Sequence, residues 1–141
     1  MISLQEQIAT ALNLKGIGVF EPYDTTGNIF IDIMPIKPVN AIAIYMTIVD
    51  EPNFAHDEQA VTIQCLVRSV NKHEAMETGA SIIRLLNGFN GGPFVHGGHY
   101  IVDTQAQTGL PVYLGTNEAG QHECSISFEI EYIKEEIRYG Y

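Results

Sequence analysis

The sequence predicts an α+β fold, a mainly antiparallel β-sheet with two helices packed on one face, as a single domain over residues 1–141. Three observations predict it. From Glu123 to Ile133, apolar Cys124, Ile126, Phe128, Ile130 and Tyr132 alternate strictly with Glu123, Ser125, Ser127, Glu129 and Glu131. Such alternation sets one row on a core and the other in solvent or against a partner. This strand is about twice the usual 5–6 residues, so it crosses a whole sheet or projects beyond its domain. Second, the turn Asn117-Glu118-Ala119-Gly120 joins it to the preceding strand as a hairpin. Third, six or seven strands are interrupted by only two stretches of helical periodicity, a pattern that segregates helices onto one face of an antiparallel sheet.

The elements follow in order. Ser3 with Glu6 three residues on is a capping-box pattern, and Leu4, Ile8, Ala11 and Leu12 recur at helical spacing, predicting a helix over Ser3–Leu14 stopped by Gly16. Ile17–Phe20 is a short extended piece, Asp24–Gly27 a turn and Asn28–Ile33 a strand, with Pro35 and Pro38 marking irregular chain after it. Ala41–Val49 reads as a central strand. Ile42, Ile44, Met46 and Ile48 share one face, while small Ala41 and Ala43 permit close approach on the other. A polar loop follows to Glu58, then the strand Val61–Val70 with Val61, Ile63, Cys65 and Val67 inward. Asn71 can cap the second helix, and Glu74 suits its dipole. Its stripe is Met76, Ala80, Ile83 and Leu86, widened by Ile82 and Leu85, and Gly79 within it implies close packing on the sheet. Gly88–Gly98 is a flexible loop, His99–Thr108 is extended, and Leu110–Leu114 leads into the final hairpin.

A chain of 141 residues is long enough to bury a core without disulfides or metals. Its 45% hydrophobic and 17% charged residues exclude disorder. With 17 Asp and Glu against 7 Lys and Arg, it is too acidic for tight phosphate-backbone or sequence-specific nucleic-acid binding. Cys65 and Cys124 both fall at inward positions of strands, which predicts buried free thiols in a reducing compartment; a bridge is geometrically open if those strands are neighbours. Met1–Glu6 has no basic start or apolar run and predicts no signal peptide. The longest apolar stretch, Ala41–Val49, is far short of the roughly 20 residues of a membrane span.

The chemistry-bearing residues give weak constellations. His96 and His99 share one loop, and His122 opens the last strand; a small metal-dependent enzyme would need these three to converge. No HExxH spacing supports it, and exposed loop histidines are the expectation. Gly88-Phe89-Asn90-Gly91-Gly92 follows a helix and lacks the Lys-Ser/Thr of a phosphate loop. The carboxylate pairs Asp50-Glu51, Asp57-Glu58, Glu129 with Glu131, and Glu135-Glu136 lie in polar loops or on an outward face, away from the apolar pocket that acid–base work needs. They read as solvated charge or as an anionic wall for repulsion and partner choice. Phe54, Phe89 and Phe94 lie in loops, where aromatics either fold back onto the core or anchor an interface. No catalytic residue and no cofactor are predicted.

The strand Ala60-Val61-Thr62-Ile63-Gln64-Cys65-Leu66-Val67-Arg68-Ser69, the helix from Asn71-Lys72-His73-Glu74-Ala75 to Ile83-Arg84-Leu85-Leu86-Asn87, and Gly115-Thr116-Asn117-Glu118-Ala119-Gly120-Gln121-His122-Glu123 entering Ser125–Tyr132 carry a resemblance. In that order, after an N-terminal helix ending in glycine and proline-broken segments, the chain resembles the tail terminator proteins of long-tailed bacteriophages, also labelled minor capsid or tail completion proteins. The resemblance covers most of the chain and is best from Ala60 to Ile133. It implies a virion structural protein, assembled in the bacterial cytoplasm, that forms a sixfold ring on the head-facing end of the tail tube. Such a ring stops tube polymerisation and offers a surface to head-completion or connector proteins. The family brings no catalytic residues. Related neck and head-completion proteins share the size and acidity, and they are the alternative position in the particle. DNA would leave through the lumen of such a ring, and Glu123, Glu129 and Glu131 are the residues expected to repel it.

Overall fold

The computed structural model describes residues 3–22, 26–48 and 58–133. Helix α1 (Leu4–Leu14) is followed by β1 (Ile29–Ile31), β2 (Ala41–Ile48), β3 (Glu58–Ser69), helix α2 (Lys72–Leu86), β4 (Tyr100–Ala106), β5 (Val112–Thr116) and β6 (His122–Ile133). The six strands form one sheet in the order β1-β2-β3-β6-β4, with β5 also paired to β6. β4 runs beside Phe128–Ile133 and β5 beside His122–Ser125. Only β1 and β2 are parallel; every other pairing is antiparallel. The expected α+β architecture is the observed one.

Both helices start and stop for local reasons. Ser3 Oγ accepts the Glu6 N–H at 3.1 Å, and Asn71 Oδ1 accepts the Glu74 N–H at 2.8 Å, so each N-cap satisfies a donor that the helix leaves unpaired. At the end of α1, Gly16 at φ 74° lets its own N–H reach Asn13 O at 3.1 Å and that of Ile17 reach Leu12 O at 3.0 Å. That is a Schellman termination. α1 packs on β1 and β2, and α2 on β3, β4 and β6. Ile8, Leu12, Ile82 and Leu86 from the helices meet Ile44, Ile63, Ile126, Phe128 and Ile130 from the sheet in one core.

Four local differences from expectation have identifiable causes. β1 ends at Ile31 because Asp32 takes φ 63°, a left-handed conformation incompatible with a continuing strand. Ile17–Phe20 is not a strand, yet Val19 O accepts the N–H groups of Asn28 at 2.9 Å and Ile29 at 3.1 Å, which ties it beside β1. The buried face of α2 is Ala75, Gly79, Ile82, Ile83 and Leu86, rotated from the expected stripe so that Met76 is only half-buried. The cause is Gly79: a Cβ there would lie 2.8 Å from Pro111 Cγ and 3.0 Å from Ile126 Cδ1. The glycine-rich loop after α2 is pinned, with Gly91 N–H on Ile101 O at 2.8 Å and Ile101 N–H on Gly92 O at 2.9 Å.

The crossover between parallel β1 and β2, residues 32–40, contains no helix. It is held from the sheet. Alternation along β3 puts Arg68 on the face opposite the helices, and its buried guanidinium donates to the carbonyls of Val39 at 3.0 Å, Pro35 at 2.6 Å, Pro38 at 2.7 Å and Ile36 at 3.3 Å. Four main-chain acceptors satisfy a charge that burial would otherwise penalise. Ala41 and Ala43, on that same face, are buried, which accounts for the small residues there.

Candidate functional site

β6 keeps its two faces apart. Cys124, Ile126, Phe128, Ile130 and Tyr132 are buried, while Glu129 and Glu131 are exposed and Glu123, Ser125 and Ser127 half-buried on the helix-free face. In register, Glu131 lies between Ala60 and Asp103, Glu129 between Thr62 and Gln105, and Glu123 between Arg68 and Gly115. Glu131 and Asp103 are like charges directly opposite, an arrangement that disfavours pairing and persists here with Glu131 exposed and Asp103 half-buried. The hairpin turn presenting this strand is built by Asn117, whose Oδ1 accepts the N–H groups of Ala119 at 3.0 Å and Gln121 at 2.9 Å, with Gly120 at φ 76°.

The structure does not bring His96, His99 and His122 together. His99 is buried, not exposed as expected: its N–H donates to Gln7 Oε1 at 3.0 Å, and its ring lies 5.1 Å from that of Tyr132 near the end of β6. His122 opens β6 and shares a 2.7 Å hydrogen bond between its Nδ1 and Tyr113 Oη. At about 3.3 Å per residue, the length of β6 separates the two by roughly 30 Å. His96 is exposed. Among the described residues no group of three or more His, Cys, Asp or Glu is placed to hold a metal ion.

Cys65 and Cys124 are buried and free. Cys65 lies opposite Ile126 and Cys124 opposite Val67, so the thiols are diagonal neighbours. That separation, roughly 7 Å, is not one a disulfide bridges. Burial pushes the Cys65 thiol up to about 12 and that of Cys124 to about 11, so neither is a nucleophile at neutral pH. Cys124 Sγ donates instead to Ala75 O at 3.3 Å. Phe89 and Phe94 pack on the core and on each other, ring centroids 4.8 Å apart. Phe54 lies outside the described residues, as do Asp50-Glu51, Asp57 and Glu135-Glu136.

Three surface features, an edge and two hollows, lie outside the residues to which the sequence pattern points. One is the outer edge of β5. No described strand pairs with it, and Leu110, Val112 and Leu114 are exposed along it. A signal was present: the chain has no charged residue from Thr104 to Asn117. Another is a groove of about 320 Å³ beside β1, lined by Phe20, Pro22, Ile31 and Ile33 with Glu6 and Glu21. A second hollow, of about 390 Å³ and more polar, sits where β2, β3 and α2 meet; Ser69 Oγ there stands 3.0 Å from Glu74 Oε2 and 3.2 Å from Asn40 Oδ1.

Comparison with known proteins places this architecture. A chain from the virion of a native gene transfer agent particle has the same fold, with a TM-score of 0.55 at 14% identity over 94% of this chain and 96% of that one. No curated protein matches the sequence. The family described as bacteriophage tail terminator protein matches residues 11–133, which takes in every strand, the whole of α2 and the last turn of α1. The chain therefore belongs to the bacteriophage tail terminator family.

Proposed function

We propose that the chain, acting as one unit over residues 1–141, forms a ring on the head-proximal end of a phage tail tube, stops tube polymerisation and presents the surface to which the head is joined. The family match over residues 11–133 carries this reading. The unpaired, uncharged β5 edge supports it, because a ring needs a surface on each copy that its neighbour covers. Its partners in this reading are further copies of itself, the tail tube protein on one side and a head-completion or connector protein on the other, with no membrane and no cofactor. In that ring the helix-free face looks into the lumen, where Glu129 and Glu131, with Glu123 nearer the hairpin, repel the phosphates of departing DNA. Phe89 and Phe94 remain candidate contacts only where their half-buried rings reach the surface. Electron microscopy of virions lacking the chain tests the reading. Tails of uncontrolled length are expected; normal tails beside unattached heads would make it a different neck or connector protein.

A further inference from the structure

The sheet ends in two dissimilar edges at one level. Phe30 of β1 lies opposite Ala43, Ala43 opposite Leu66, Leu66 opposite Ser125 and Ser125 opposite Val112, so β1 and β5 bound the same rows. Natural edge strands are commonly blunted by charge, proline, a bulge or a covering element. β5 is short and bulged between Tyr113 and Gly115, but it carries no charge. Leu110, Val112 and Leu114 are 73%, 45% and 53% exposed, and the adjacent Pro111 is spent on packing against Gly79. The groove at the β1 edge is apolar along Phe20, Pro22, Ile31 and Ile33 and carries the carboxylates of Glu6 and Glu21. The charges are complementary, since Lys72 Nζ stands 4.5 Å over the Tyr113 ring of β5 and so fixes a cation beside the apolar edge.

We infer that the β5 edge of one copy docks into the β1-side groove of the next, with Val112 and Leu114 entering between Phe20, Pro22 and Ile33 and Lys72 facing Glu6 and Glu21. This deepens the ring reading and rests on it. Two different surfaces meeting make a heterologous contact, which propagates from copy to copy instead of ending at a pair. A contact of β5 with its own counterpart would leave the groove and its carboxylates unmatched.

The full-length chain is compared with Leu114→Glu and with the variants Leu114→Cys and Ile33→Cys; native Cys65 and Cys124 are buried and do not compete. Light scattering is expected to show self-association of the wild type, weakened at least about tenfold in Leu114→Glu at unchanged circular dichroism and melting temperature. Oxidising a mixture of the two cysteine variants is expected to give a linked dimer that neither variant gives alone. The inference is overturned if Leu114→Glu assembles like the wild type, if the wild type stays monomeric, or if Leu114→Cys links to itself. Tail length in virions judges the terminator reading separately. Uncontrolled tails without the chain, together with normal assembly of Leu114→Glu, would keep that reading and remove this interface.

Discussion

Cys65 and Cys124 lose their protons near pH 9.0 in an unfolded chain but near 12 and 11 in the fold, because burial disfavours the thiolate. Between those values the native state holds more protons than the unfolded one. The thiols' contribution to stability is therefore complete below about pH 9 and is lost as pH rises toward 11–12, at up to about 1.4 kcal/mol per pH unit per thiol. Denaturant titrations from pH 8 to 11 should show the wild type approaching Cys65→Ala in stability as pH rises. Parallel curves would mean that the thiol is not desolvated. Gln7 shows the opposite treatment of a polar group. It is buried whole within α1, and its Oε1 receives the N–H of His99, so that burial is matched by a specific partner far along the chain.

At the scale of elements, α2 is seated by a missing side chain. Alanine would favour the helix by about 1 kcal/mol over Gly79, but its Cβ would press on buried Pro111 and on Ile126 at 2.8 and 3.0 Å. Overpacking of this kind costs about 1–3 kcal/mol. Gly79→Ala should thus lower the melting temperature by a few degrees, and adding Pro111→Ala should recover part of the loss; a rise in Gly79→Ala would show that the loop yields freely. The same helix shows what was legible in the sequence. Asn71 with Glu74, Ser3 with Glu6, the Asn117–Gly120 turn and the alternation of β6 were readable because each is a local signal in side chains. The close approach at Gly79 was legible, but the rotation of α2 that turns Met76 partly outward was not, since large apolar side chains dominate the reading of a stripe. Nor was the end of β1 at Asp32, where an ordinary residue adopts a backbone usually left to glycine. The outward direction of the β6 glutamates was legible. For the β5 edge the one signal was the uncharged run from Thr104 to Asn117, and it does not tell edge from core, because Leu110, Val112 and Leu114 alternate just as a buried strand would.

For the whole molecule, the net charge of −10 gathers meaning only if it has a direction. Replacing Glu129 and Glu131 together by Lys should leave tail length unchanged while slowing DNA release from triggered virions several-fold, with recovery in added salt. Release at the wild-type rate would place these carboxylates away from the DNA path. The Arg68 clamp has a different kind of consequence. Every acceptor it engages is a main-chain carbonyl, so the path of residues 35–39 depends on Pro35 and Pro38 but not on the side chains of Ile36, Lys37 and Val39. Ile36, 86% exposed, is displayed from that fixed path. Between its prolines the crossover is therefore a mounting whose fittings can be exchanged: Ile36 and its neighbour Lys37 can change with whatever they meet, while the backbone beneath stays where one arginine holds it.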